Sequence, residues 1–225
     1  EIRFCDWSSD VCSSDLLNSF RMIPFAQPSW GLQQSPDKSF TAWLPEHIQI
    51  RKQDSTAYDF KADEVQYFGH DPFASLSYNV EVYPINKYYW APDIDSVYSH
   101  WKNRVMNDWN DSLLSFSNIT NGGLKGRELC LINKTSKVKK IIRLLLNGQA
   151  MYILVNTLPL VYPDEENASR FFNEFKVSKE ETASSIIGNN SDKLFADLQS
   201  RDSATFLSRI RRCRPPSPGS LGTSA

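Results

Sequence analysis

The sequence predicts an α+β domain in which an antiparallel β-sheet carries two packed helices, followed by the short helices of a truncated helical region. Three observations carry that expectation. Leu76, Tyr78, Val80 and Val82 alternate with Ser75, Ser77, Asn79 and Glu81, the period of two expected of a strand with one buried face. Ile94, Val97, Trp101, Val105 and Trp109 recur at spacings of three or four, which places them on one face of a helix. Asn121-Gly122-Gly123 and Asn147-Gly148 separate apolar runs, and such pairs signal hairpins because both central positions of a type I′ turn need positive φ.

Taken in order, the chain begins with a segment that does not enter the fold. Residues 6–16, Asp6-Trp7-Ser8-Ser9-Asp10-Val11-Cys12-Ser13-Ser14-Asp15-Leu16, resemble the translation of a common short-read sequencing adapter, so residues 1–16 are expected to be an artefact and are excluded from fold reasoning. Residues 17–29 read as the end of a preceding module or a linker. Trp30 to Leu32 and Phe40 to Leu44 read as short strands around the turn Ser35-Pro36-Asp37-Lys38. Tyr58 to Phe68 and Ala74 to Tyr83 follow, separated by Gly69-His70-Asp71-Pro72. These four strands suggest one antiparallel meander.

Pro92 precedes the main helix, and Asp93 and Asp95 lie where a carboxylate caps open N–H groups and meets the positive end of the helix dipole. Capping is preferred over acid–base chemistry for this pair, because no second polar group stands ready to work with it. Leu114 to Thr120, Leu124 to Asn133, Val138 to Leu146 and Met151 to Leu158 are four further strands. A second helix fits residues 164–173, with Pro163 ahead of it and Asp164, Glu165 and Glu166 in its first turn. Phe171, Phe172 and Phe175 anchor its exit and close the domain at residues 30–177. Residues 178–190 read as a polar linker. Residues 191–208 read as the start of a helical region, with Leu194, Phe195 and Leu198 on its first helix. Residues 209–225, rich in Arg, Pro and Ser, read as a low-complexity or frameshifted tail.

Composition excludes some classes of function. A formal net charge of -1 over 225 residues gives no electrostatic reason to expect nucleic acid as a partner. Of the four cysteines, Cys5, Cys12 and Cys213 fall in the suspect ends. Cys130, in Leu129-Cys130-Leu131-Ile132, reads as a small buried hydrophobe rather than a nucleophile. Redox usage therefore leaves the compartment open between cytoplasm and cell envelope. No apolar run approaches the roughly 18 residues of a membrane span. His47, His70 and His100 have no partner at metal-ligand spacing, so no metal site is expected. No P-loop, dinucleotide fingerprint or Gly-x-Ser-x-Gly occurs, so no cofactor is expected either.

An internal echo bears on organisation. Leu17-Asn18-Ser19-Phe20-Arg21-Met22 aligns with Phe172-Asn173-Glu174-Phe175-Lys176-Val177, putting the end of one module immediately before the start of the next. Aromatic content bears on function. Tyr83, Tyr88, Tyr89 and Trp90 bunch ahead of the main helix, more aromatic surface than a turn needs, and exposed clusters of this kind mark interaction sites. Tyr88, Tyr89 and Trp90 are the candidate binding residues.

Trp30, Ser35-Pro36-Asp37, Phe40-Thr41-Ala42-Trp43-Leu44-Pro45, Arg143 to Leu146 with Asn147-Gly148, Met151-Tyr152-Ile153-Leu154 and Phe171-Phe172-Asn173-Glu174-Phe175 together resemble a bacterial PsbP-like domain over residues 30–177. The resemblance implies a central antiparallel sheet with helices packed on it. It carries no functional residue, because no position matches the photosystem-binding or Ran-binding residues of that superfamily. The functional expectation is a non-catalytic binding or scaffolding module of a larger bacterial multidomain protein, contacting another protein or neighbouring modules of its own chain. The alternative is an enzyme fragment, hydrolase or transferase, whose site involves the His70 loop or lies in a missing domain.

Overall fold

Hairpin chemistry lays down most of the architecture. The structure, a computed structural model, describes residues 28–54, 63–71, 76–85, 89–109, 111–160, 165–181, 186–188 and 191–199. Among the described residues seven strands form the larger sheet: β3 (Ile48–Asp54), β4 (Asp63–Asp71), β5 (Leu76–Pro84), β6 (Ser112–Asn121), β7 (Leu124–Asn133), β8 (Val138–Asn147) and β9 (Ala150–Pro159). Their spatial order is β3-β4-β5-β9-β8-β7-β6, and every pairing is antiparallel. A smaller sheet has the order β1-β2-β10, from β1 (Trp30–Gln34), β2 (Phe40–Pro45) and β10 (Lys176–Val177). Among the described residues the helices are α1 (Ile94–Trp109), α2 (Glu165–Asn173) and α3 (Ser191–Gln199).

The tips follow their residues. Gly122 and Gly123, between β6 and β7, have φ of 54° and 88°, the two positive angles of a type I′ turn. Between β8 and β9 only Gly148 has positive φ, at 57°, so glycine serves the first central position alone, as in a type II′ turn. Asn133 shapes the wider β7–β8 turn by accepting from the Thr135 and Ser136 N–H groups at 3.1 and 2.9 Å.

Strand alternation divides the larger sheet into two faces. Met151, Ile153 and Val155 of β9, with Ile142, Leu144 and Leu146 of β8 and Leu129 and Leu131 of β7, are buried together with Val97, Tyr98, Trp101 and Val105 of α1. Tyr152 and Leu154 of β9 and Leu145 of β8 point the other way, into a cluster with Phe40, Ala42 and Leu44 of β2 and Phe171 and Phe172 of α2. Phe175 binds this second cluster together, its ring 5.5 Å from that of Phe40 and 5.7 Å from that of Tyr152. Trp43 holds α2 against β2, donating to Asn167 Oδ1 at 3.1 Å while the Arg170 guanidinium lies 3.3 Å from its ring centroid.

Several expectations change. β1 and β2 do not continue the β4–β5 meander; they cross it as a separate sheet, because Phe40, Ala42 and Leu44 bury the β2 face on the larger one. β3 adds a strand that was not among those expected. Gly69, His70 and Asp71 do not form a loop but end β4, pairing with Tyr78, Ser77 and Leu76. Tyr58 and its neighbours in residues 55–62 lie outside the described residues. The polar face of β5 is covered as well, since Glu81 is buried on it. Cys130 is only half-buried, because alternation turns it away from the face that buries Leu129 and Leu131.

The polar stretch after β10 is held along part of its length. Ser178 N–H donates to the Ser39 carbonyl at 2.8 Å, and Gly148 N–H to the Glu181 carbonyl at 3.1 Å. Ile186 is fully buried, and Ile187 forms a parallel bridge to Ala91. In α3, Phe195 is 59% exposed; the side chains of Leu194 and Leu198, and residues 200–225, lie outside the described residues.

Candidate binding cleft

Of the three aromatic candidates, Tyr88 lies outside the described residues, Tyr89 is half-buried and Trp90 is 53% exposed. The Tyr89 ring packs against the α1 core, 6.5 Å from the His100 ring, and burial raises its hydroxyl pKa. Trp90 is set by its neighbour: Ala91 N–H donates to the Ile186 carbonyl, and the Ala91 carbonyl accepts from Gly188 N–H, both at 2.9 Å. That tie fixes the backbone one residue beyond Trp90 while its indole stays in solvent.

Four residues after Trp90, α1 begins. Asp93 Oδ1 accepts from Ser96 N–H at 2.7 Å, the capping role expected of it, and that hydrogen bond holds its carboxyl below the usual range. Asp95 instead forms an ion pair with Arg127 of β7. The Arg127 guanidinium also lies 5.2 Å from the Tyr98 ring centroid, and Tyr98 donates its hydroxyl to the Lys125 carbonyl at 2.7 Å. Burial pushes the Tyr98 hydroxyl pKa up. The first turns of α1 are thus pinned over the start of β7.

A cleft of about 540 Å³ opens there, where α1 meets the tips of the β6–β7 and β8–β9 hairpins. Ile94, Tyr98, Leu124 and Leu146 give it apolar walls, and Lys125, Glu180 and Glu181 give it charge. Its volume falls within the roughly 300–1,000 Å³ of small ligand sites, which pair apolar walls with a few polar groups. The two glycine turns admit the carboxylates. A Cβ on Gly123 would stand 2.5 Å from Glu180 Oε1, and one on Gly148 would stand 2.6 Å from Glu181 Oε2. Asn147 fixes the segment bearing both, donating to the Lys179 carbonyl at 2.8 Å and accepting from Glu181 N–H at 2.6 Å. Glu181 Oε1 accepts from Lys179 Nζ at 3.0 Å, so it is the apolar walls beside the Glu180 carboxylate that suit a ligand presenting an apolar group next to a cation.

A second feature lies on the opposite flank of α1. Glu81, 7% exposed, accepts from Asn79 Nδ2 at 2.6 Å and from the Tyr83 hydroxyl at 3.0 Å. Tyr83 packs on Trp101 of α1 with ring centroids 5.0 Å apart, and the Arg104 guanidinium lies 4.6 Å from the Tyr83 ring. His100 sits beside this group, its imidazole pKa lowered by partial desolvation and then by the charge of Arg104.

His70 is exposed at the end of β4, its ring 6.4 Å from that of Phe68. It does not line the cleft at α1, nor a second one of about 400 Å³ whose only large apolar wall is Ile132. His47 is exposed as well. Among the described residues no group of three or more His, Cys, Asp or Glu is placed to hold a metal ion, and no helix is long and apolar enough to cross a membrane.

The sequence singled out Trp90, which is exposed, but not the cleft beside α1. Its walls come from positions 94, 124 and 146 and its carboxylates from 180 and 181, and no local pattern links them. The two glycine-bearing turns were the available signal, since both tips end at the cleft.

No protein-family model matches the chain, and no curated protein matches it by sequence. Among solved structures it is similar to the solution structure of cyanobacterial PsbP (CyanoP) from Synechocystis sp. PCC 6803, with a TM-score of 0.47 and 10% sequence identity, over 71% of this chain and 99% of that one.

Proposed function

We propose that the chain is a non-catalytic binding module of a larger protein, and that it engages another protein or a neighbouring module of its own chain through the cleft at the start of α1, with Tyr88, Tyr89 and Trp90 contributing. One observation carries the reading: two large apolar side chains four residues apart, Trp90 at 53% and Ile94 at 38% exposure, remain in solvent, and Ile94 lines the cleft. Exposed aromatic and aliphatic groups beside a preformed pocket are where binding energy concentrates. The echo of residues 172–177 in residues 17–22 supports a neighbouring module as one class of partner.

Selection of a random peptide library on the full chain tests the proposal. Enriched peptides are expected to set an apolar side chain beside a basic one, and to lose binding to Ile94→Asp. That variant keeps its fold, because Ile94 is partly exposed and a carboxylate is favoured in the first turn of a helix. Enriched peptides indifferent to Ile94→Asp would contradict the proposal.

A further inference from the structure

Among the described residues β6 is hydrogen-bonded on one side only, to β7, so it forms one edge of the seven-stranded sheet, and β3 forms the other. Edge strands present unpaired N–H and C=O groups to any strand that fits them, and charged side chains are a common defence. β3 has that defence, with Arg51 and Lys52 both exposed on it. β6 does not: Ser-Leu-Leu-Ser-Phe-Ser-Asn-Ile-Thr-Asn carries no charge over ten residues. Leu113 and Leu114 are 39% and 57% exposed. The register shifts between Leu113 and Ser115, a bulge that leaves residues 115–121 as the regular part of the strand. The Lys102 ammonium lies 5.3 Å from the Phe116 ring centroid, over the α1 face rather than in line with the edge.

We infer that β6 is a homodimer interface. The β6 of a second copy pairs antiparallel along residues 115–121 about a two-fold axis, joining two seven-stranded sheets into one. Charge and closure identify the occupant. A two-fold axis sets a strand opposite itself, so any charged residue near the axis would face its own copy, and like charges directly opposite are destabilising. β6 alone of the two edges meets that condition. The joined sheet ends in β3 on both sides, where Arg51 and Lys52 oppose further addition, so the product is a closed dimer and not a fibre.

Sedimentation equilibrium of the full chain from about 1 to 100 μM tests the inference. Wild type is expected to show a concentration-dependent monomer–dimer equilibrium. Ser117→Lys and Asn118→Lys, at exposed positions on opposite faces of β6, are each expected to weaken the dimer at least tenfold with circular dichroism unchanged. Lys52→Ala on β3 is expected to leave the dimer intact. A monomer at every concentration, a dimer indifferent to both lysine variants, or a dimer lost in Lys52→Ala would each overturn the inference.

Discussion

Asn147 accepts the Glu181 backbone N–H on its side-chain oxygen at 2.6 Å, while its amide nitrogen donates to the Lys179 carbonyl at 2.8 Å. One side chain at a hairpin tip thereby holds the segment that brings Glu180 and Glu181 to the cleft. Asn147 is 8% exposed, so Asn147→Ala removes two hydrogen bonds and leaves both backbone partners to find water. The expected cost is about 2 kcal/mol, a fall of roughly 4–8 °C in Tm for a domain of this size. Calorimetry checks it; a Tm within a degree of wild type would show that the clasp is idle.

Gly126 is the third residue of β7, where a Cβ would lie 2.5 Å from the Leu144 carbonyl oxygen and 2.6 Å from Leu145 Cδ2. A backbone oxygen cannot turn aside as a side-chain end can. Gly126→Ala is therefore expected to destabilise by about 1–3 kcal/mol through overpacking, read as a lower urea midpoint with unchanged slope.

Phe175 is 1% exposed and touches rings from both sheets. Phe175→Ala is expected to cost about 3–5 kcal/mol, the range for emptying a buried aromatic site. Phe195→Ala, at a ring that is 59% exposed, is expected to stay within about 0.5 kcal/mol of wild type. Urea unfolding of the two variants side by side checks the contrast.

Tyr83→Phe removes one of the hydrogen bonds that Glu81 receives, at 3.0 Å. Glu81 is buried, and hydrogen bonds to charged groups are worth about 1.5–3 kcal/mol. A loss of that order is expected in urea unfolding, with the ring packing on Trp101 retained.

His100 titrates below its ordinary value of 6.5, first through desolvation and then through Arg104. With its folded pKa depressed, the folded protein takes up the proton less readily than the unfolded chain. The stability this contributes is complete above the unfolded pKa and is lost as pH falls through the folded one. Arg104→Gln removes the second cause, so the His100 pKa is expected to rise toward 6.5 and the acid-side loss of stability to shrink. An NMR titration of the imidazole protons reads both directions; an unmoved pKa would contradict the assignment.

Local chemistry accounts for what the sequence made legible. Asn121, Gly122 and Gly123 announce a hairpin because the turn itself requires them, and Val97, Trp101 and Val105 announce a helix because they share one face. Ile48 and Ile50 alternate with Gln49 and Arg51 as a strand requires, but only two apolar positions repeat, and on this edge strand Ile50 remains 44% exposed, so the signal of β3 is weak. Period two places Glu81 opposite Val80 but does not say that α1 will cover the opposite face. The cleft was the least legible feature: Ile94, Leu124 and Leu146 meet only after a helix and two hairpins have folded, and its carboxylates arrive on a segment whose composition reads as a linker.

Chemical-shift mapping of the full chain, titrated with a peptide enriched by the library selection, tests the assignment of the cleft most directly. Perturbations are expected to concentrate at Ile94, Tyr98, Leu124, Leu146 and Glu180, and the Kd to weaken at least tenfold in Ile94→Asp, a change of about 1.4 kcal/mol. Perturbations centred on Phe68 and His70 of β4, with the amides around Ile94 unmoved, would contradict that assignment.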